Sequence, residues 1–328
     1  MAHQAPSSRN SATDYRGRFA PSPSGPLHFG SLVSALASFL HARHRGGNWL
    51  VRMENLDPPR EQPGADRKIL EALEAHGLHW DGCVWYQSER LDAYAQMLAD
   101  LRRRGLAYPC NCTRKDLRAM GGVYDGRCRQ RRTQPEKPFA WRLKLYDLPE
   151  AIAGLNETLG FEDLFQGCQQ NNLRRDLGDP VIKRKDGLFA YQLAVVADDI
   201  AQGITHVIRG SDLLELSVGQ LACFYLLGGQ PPRFGHVPTA INAAGQKLSK
   251  QHGAPALQNH LAGDNLWQAL AFLGQNPPLE LAGASPGELL EWGRRNWRPD
   301  ALGVLEKLAP SEFRTESDAG AGVRREEL

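Results

Sequence analysis

The segment Arg18-Phe19-Ala20-Pro21-Ser22-Pro23-Ser24-Gly25-Pro26-Leu27-His28-Phe29-Gly30-Ser31 constrains this chain more than any other. A short strand over Arg16 to Ala20 leaves into a Pro/Gly loop, which delivers His28 and Gly30 to the start of a helix over Ser31 to Arg43. Unpaired backbone N–H groups and the helix dipole make such a turn a phosphate site, and glycine lets a nucleotide approach the backbone closely. His28 can then hydrogen-bond a phosphate.

The following sequence continues the alternation. Leu32, Leu36, Phe39 and Leu40 repeat near the 3.6 period of a helix, and Asn48 to Glu54, with Trp49, Leu50 and Val51, reads as a buried strand. Two parallel strands joined by a helix follow. Helices are predicted over Ala65 to Ala75 and Glu89 to Arg104, the second ended by Gly105. From Leu106 to about Asp186 the pattern breaks into Gly, Pro, Cys and Arg-rich sequence, then resumes at Leu188 to Val196 and Thr205 to Ile208. The expected fold class is α/β: a doubly wound (Rossmann-like) parallel sheet carrying an insertion, with a short C-terminal helical region.

Composition narrows the class further. The 328 residues are 41% apolar and 23% charged, and 39 Lys+Arg against 37 Asp+Glu leave a net charge of only +2, which points to no partner. Its distribution is more telling. Arg102, Arg103, Arg104, Arg114, Lys115, Arg118, Arg127, Arg129, Arg131, Arg132 and Lys137 crowd one stretch, opposed by Asp116, Asp125 and Glu136. A basic patch of this kind suits a phosphate backbone, although a solvated arginine-rich face would read the same way. Six cysteines are too sparse for a disulfide scaffold, and there is no signal peptide and no apolar run of membrane-spanning length. A cytoplasmic protein, without membrane contact and monomeric, is expected.

A second basic element follows the last sheet strands. In Gly245-Gln246-Lys247-Leu248-Ser249-Lys250-Gln251-His252-Gly253, two lysines flank a serine in a mobile-looking loop and can supply charge to a triphosphate and its pyrophosphate leaving group. Taken with His28 and Gly30, this pair of motifs resembles that of the class I aminoacyl-tRNA synthetases, and the longer first motif resembles the glutamyl-tRNA synthetases, over roughly residues 16 to 255. The resemblance implies ATP as substrate, with Mg2+, bound by His28, Gly30, Ser31, Lys247, Ser249 and Lys250. His28, Lys247 and Lys250 would act in catalysis as a carboxylate attacks the α-phosphate. Ser31 stands where the family motif has a second histidine, and Gln251 where the lysine loop ends in serine.

Glutamate needs a cation for its side-chain carboxylate and an anion for its ammonium. Arg209, in His206-Val207-Ile208-Arg209-Gly210-Ser211-Asp212, lies at the end of a strand, where open α/β sheets bind ligands. A surface ion pair with Asp212 is the plainer alternative. The resemblance makes Arg209 the ligand of the γ-carboxylate. It also places Arg18, Phe19, Ala20, Pro21 and Ser22 at the substrate, Glu54 near the ammonium and Tyr191 in the pocket wall. In Arg52-Met53-Glu54-Asn55-Leu56-Asp57-Pro58-Pro59-Arg60-Glu61, Asn55 replaces an expected acid. The trailing Asp-Pro-Pro-Arg-Glu resembles the truncated paralogues that glutamylate queuosine in tRNA(Asp).

Cys110, Cys112 and Cys128 fall within nineteen positions and suit tetrahedral Zn2+, but the spacing supplies no ordinary fourth Cys or His. From the residues alone, Asp125 or a water could complete the set; the paralogue resemblance implies Tyr124. Cys83, Cys168 and Cys223 read as packing residues.

The expected organisation is a disordered lead-in over 1–14 and a first catalytic half over 15–106. An inserted acceptor-type subdomain with the zinc site spans 107–187, and the second catalytic half spans 188–255. A helical region over 256–310, with helices at Asn265 to Leu273 and Pro286 to Trp297, precedes a disordered tail over 311–328. Only some sixty foldable residues follow the lysine loop, too few for the helical anticodon-binding region of a full glutamyl-tRNA synthetase. The implied activity is ATP-dependent activation of glutamate and its transfer to queuosine in the anticodon loop of tRNA(Asp). The alternatives are a shortened synthetase charging a tRNA 3′ end, a different nucleotidyl transferase with a related histidine loop, which would leave Arg209, Arg18 and Glu54 unexplained, and a non-catalytic tRNA-binding module.

Overall fold

The computed structural model describes residues 15–130, 136–148, 155, 157–241, 248 and 254–302. The expectations for 1–14 and 311–328 lie outside them.

The parallel sheet begins as expected. Strand β1 (Arg16–Phe19) pairs with β2 (Asn48–Met53), and β2 with the two-residue β3 (Trp85–Tyr86), all parallel. Helix α1 (Phe29–His44) makes the crossover between the first two strands. It starts two residues before the expected Ser31 because His28 supplies the cap. A second parallel pair is formed by β9 (His206–Gly210) and β10 (Arg233–Val237), in which Arg209 is the register partner of His236. This pair lies beside β1, where the Thr205 N–H donates to the Arg16 carbonyl at 2.9 Å.

Side-chain alternation along these strands divides the core into two layers. Trp49, Val51, Met53 and Ile208 face one cluster with α1, α2 (Ala65–Ala75), α7 (Ala262–Phe272) and α8 (Pro286–Asn296). Leu50 and Val207 face the other, with α3 (Leu91–Arg103), α5 (Tyr191–Ala201) and α6 (Leu214–Leu227). Helices cover both faces, so the sheet is doubly wound. Gly105, at φ +70°, follows α3 as the sequence predicts. The expected resumption at Leu188 to Val196 proves to be the approach to α5 and its first turns, since Leu193 to Ala197 bury on consecutive positions and carry no period-2 signal.

Between α3 and α5 the chain leaves the parallel sheet. Strands β4 (Ala107–Cys110), β5 (Ala140–Leu143) and β8 (Val181–Lys183) form an antiparallel sheet in the order β4-β5-β8, with the short helix α4 (Arg114–Ala119) following β4. The hairpin β6 (Thr158–Asp163) and β7 (Gly167–Asn172) returns to the main sheet, where the Leu164 N–H donates to the Phe234 carbonyl at 2.9 Å.

The basic stretch is less free than its composition suggests. Arg103 and Arg104 pair with Asp100, Arg127 with Asp125, and Arg102 lies over the Trp141 ring. Arg129 is mostly buried on Asp179, in a bidentate pair of 2.6 Å contacts. Arg131 and Arg132 lie outside the described residues. Cys223 is buried as a packing residue should be, but Cys83 and Cys168 are exposed, so the packing reading fails for both. Among the described residues no helix is long and apolar enough to cross a membrane.

Candidate active site

The loop from β1 to α1 builds one end of a cavity of about 580 Å³ at the carboxyl ends of the parallel strands. His28 caps α1: its Nδ1 accepts from the Ser31 N–H at 3.2 Å, and its carbonyl accepts from Ser31 and Leu32. The first turn of this 16-residue helix carries no acidic side chain, so its positive end is uncompensated from within. A Cβ on Gly30 would lie 3.3 Å from the His28 ring and 3.5 Å from the Leu248 carbonyl oxygen. A side chain there would crowd the His28 ring. His28, Gly30 and Ser31 all face the cavity. Lys247, Ser249 and Lys250 lie outside the described residues, but Leu248 between them is tied to the Ala240 carbonyl at 2.8 Å and lines the same cavity.

Phe19, Ala20, Pro21 and Ser22 form the adjoining wall, with Phe19 stacked against Trp49. The Pro21 carbonyl accepts from the Glu54 N–H at 3.0 Å and so fixes Glu54 to this loop. Burial raises the Glu54 carboxyl above its usual range, against the pull of Arg52 and Arg18. Arg18 is itself buried and reaches Asp199 Oδ1 at 3.4 Å.

Arg209 faces this cavity from β9, with Tyr191 opposite at the start of α5. The plainer reading, a surface pair with Asp212, does not hold: Arg209 is 4% exposed. Its Nε–H donates to His236 Nε2 at 3.0 Å, one terminal nitrogen donates to Ser217 and the Leu213 carbonyl, and the other reaches the Tyr191 hydroxyl at 3.4 Å. Among the described residues no carboxylate is in ion-pair contact with it. A buried guanidinium with neutral partners and an open side has the chemistry to pair with a carboxylate.

Sequence reasoning missed the network behind this wall. Arg52 is fully buried and meets Asp199 at 2.8 Å, Gln202 at 2.7 Å and Glu54 at 3.4 Å. Asp198, beside Asp199 on α5, accepts from Gln87, Arg90 and Tyr94. The signal was present as charges where none belongs, an arginine inside Trp-Leu-Val-Arg-Met and an Asp pair inside Ala-Val-Val-Ala-Asp-Asp-Ile. A second chamber of about 460 Å³ opens beside the first and shares Glu54 and Tyr191 with it. The Asp-Pro-Pro-Arg-Glu segment lines it through Asp57, Arg60 and Glu61, and Asp57 pairs with both Arg60 and Arg184.

A further cluster lies in the insertion. The sulfurs of Cys110, Cys112 and Cys128 lie within 4.8 Å of one another. The Tyr124 hydroxyl is 3.4 Å from Cys110 Sγ, and the Arg142 guanidinium packs over the Tyr124 ring at 3.7 Å. Asp125 is turned to Arg127 instead, in a bidentate pair. Three converging thiols and a phenol, largely buried, fit a thiophilic cation such as Zn2+.

With this geometry in view, residues 14–273 match the family of tRNA synthetases class I (E and Q), catalytic domain. The Glutamyl-Q tRNA(Asp) synthetase of Ectopseudomonas mendocina is 50% identical over 92% of this chain and 99% of its own length. That of Thiobacillus denitrificans is 52% identical over 90% of this chain and 98% of its own. Among solved structures, the glutamate-tRNA synthetase of Elizabethkingia anophelis superposes with a TM-score of 0.74 at 25% identity, over 92% of this chain and 68% of that one. The chain belongs to the class I tRNA synthetases of the glutamate and glutamine type and, within them, to the glutamyl-Q tRNA(Asp) synthetases.

Proposed function

We propose that this enzyme activates glutamate with ATP and transfers it to queuosine in the anticodon loop of tRNA(Asp). The observation that carries the reading is the shared cavity. Arg209, a buried cation without a carboxylate partner among the described residues, opens on the same space as the His28-capped end of α1. A carboxylate at one end and a phosphate chain at the other bring a glutamate α-carboxylate and an ATP α-phosphorus together.

ATP enters as its Mg2+ complex. The N-terminus of α1, His28, Gly30 and Ser31 hold the phosphates, and Lys247, Ser249 and Lys250 approach them from the lysine loop. Arg209 and Tyr191 orient the glutamate side chain, Glu54 meets its ammonium, and Arg18 with the loop from Phe19 to Ser22 closes the wall. An α-carboxylate oxygen attacks the α-phosphorus and pyrophosphate leaves. A hydroxyl of the queuosine cyclopentenediol then attacks the adenylate carbonyl, and AMP leaves. The adjoining chamber beside Glu54, with Asp57, Arg60 and Glu61 of the Asp-Pro-Pro-Arg-Glu segment in its wall, receives that nucleoside. Cys110, Cys112, Cys128 and Tyr124 would hold Zn2+, which orders the insertion away from the chemistry. The enzyme works in the cytoplasm, where its tRNA resides.

Exchange of labelled pyrophosphate into ATP tests the first half. Glutamate alone, without tRNA, should support it, and glutamine and aspartate should not. Exchange supported by glutamine, or by no amino acid at all, would remove the reading.

A further inference from the structure

Arg209 is held from behind by a buried chain. It is the register partner of His236 on the neighbouring strand, so the two side chains project from the same face, and the Arg209 Nε–H meets His236 Nε2 at 3.0 Å. The other ring nitrogen, Nδ1, lies 2.6 Å from Asp163 Oδ2. His236 and Asp163 have no solvent-exposed side-chain surface.

The proton positions follow from donor and acceptor inventory. A guanidinium can only donate, so His236 Nε2 must accept, and the ring proton sits on Nδ1, pointing at Asp163. The Asp163 orientation is fixed in turn: its Oδ1 accepts backbone N–H groups from Phe165, Gln166 and His236 at 3.0, 3.0 and 3.1 Å. Burial lowers the His236 pKa, which keeps the ring neutral. Burial works to raise Asp163, but its hydrogen bonds prevail and leave it lowered and ionised.

We propose that Asp163 and His236 are positioning residues for glutamate recognition, fixing through one imidazole tautomer the direction in which Arg209 presents its guanidinium to the side-chain carboxylate. This rests on the reading of Arg209 given above. The arrangement has a chemical advantage over a direct ion pair. A carboxylate touching Arg209 would occupy the charge that the substrate needs, whereas a neutral imidazole orients the guanidinium and leaves that charge for the ligand. Asp163 stands two residues from the Phe165 turn of the β6–β7 hairpin, so the relay also ties the insertion to the glutamate end of the cavity.

Asp163→Asn separates positioning from packing. Three backbone donors require an oxygen at the Oδ1 place, so the new amide NH2 faces His236 Nδ1 and drives the ring proton to Nε2, against the Arg209 Nε–H. In pyrophosphate exchange, Asp163→Asn and His236→Leu should each raise KM for glutamate about tenfold or more, the scale of one charge-assisted hydrogen bond, with KM for ATP within about twofold. His236→Gln should restore much of the loss, because its amide oxygen can accept from Arg209. Unchanged KM for glutamate in Asp163→Asn, or equal rises in both KM values with a lowered melting midpoint, would overturn the proposal. Should His236→Leu fail to fold, the isosteric Asp163→Asn decides alone. Arg209→Gln separates the two ideas: normal KM for glutamate there removes the carboxylate-receptor reading, whereas a raised KM with a silent Asp163→Asn removes only the relay.

Discussion

The Arg52 guanidinium donates to Asp199 Oδ1 across 2.8 Å, and both side chains are removed from solvent. The same oxygen lies 3.4 Å from Arg18, so one carboxylate on α5 anchors two arginines from β1 and β2, of which Arg18 lines the cavity that Arg209 also faces.

Asp199→Ala should therefore strip two buried guanidinium groups of their shared anion. Removing one partner of a buried pair costs about 3 to 5 kcal/mol, because the remaining charge stays desolvated. Urea denaturation should show that loss. A change below about 1 kcal/mol would mean that Asp198, Glu54 and Gln202 suffice.

Lys250 follows Leu248, which lines the cavity, and in the proposed reaction it serves the transition state. Lys250→Ala should slow adenylation about a hundredfold, or about 3 kcal/mol, with the unfolding midpoint unchanged. Exchange within about twofold of the parent would exclude Lys250 from the chemistry.

The thiol cluster predicts one zinc ion per chain by elemental analysis, lost in Cys110→Ser and Cys112→Ser. With Tyr124 as the proposed fourth ligand no open position would remain, so chelation should loosen the insertion to proteolysis before it affects the parallel sheet. A metal-free preparation with a protease-resistant insertion would contradict the structural role. Tyr124→Phe should weaken binding while keeping the three thiolates.

Acid should destabilise the protein through the buried His41 and the half-buried His206. Burial, aided by nearby Arg45, pushes His41 down to about 3 and His206 to about 4. His41 Nδ1 accepts from the Trp297 indole at 3.1 Å, and the His206 ring stacks on Tyr15 at 3.9 Å. Both are neutral in the folded state and take up a proton near 6.5 once unfolded, so the unfolded chain binds more protons below that pH. Stability is complete above about pH 6.5 and falls as the pH drops toward the folded values, by up to about 1.4 kcal/mol per unit for the buried His41 and by less for the half-buried His206, which solvent screens. Melting curves from pH 8 to 5 check the sign. A His206→Gln variant should show a shallower decline than the parent.

Much of this was legible in the sequence because it is local. The Pro/Gly loop that brings His28 to a helix start, the period of α1 and the end of α3 at Gly105 each depend on a few neighbouring residues, whereas the capping role of His28 comes only from the structure. Three cysteines within nineteen positions pointed to their meeting as plainly. What sequence could not supply is long-range pairing. Asp199 lies 147 positions from Arg52 and Asp163 lies 73 from His236, and no local pattern selects either partner. Within the arginine-rich stretch the same limit applies to Arg129, which pairs with Asp179, fifty positions away.

The acceptor carries the central claim and can be measured directly. Purified tRNA(Asp) with queuosine at the wobble position, and the same tRNA with unmodified guanosine there, are each offered labelled glutamate and ATP, and the products are digested with nuclease to locate the label. Glutamate should appear only on the queuosine form, on the anticodon-loop fragment, and should fall steeply with salt because phosphate contacts supply the affinity. Label at a 3′ terminus, or equal transfer to the guanosine form, would contradict the account.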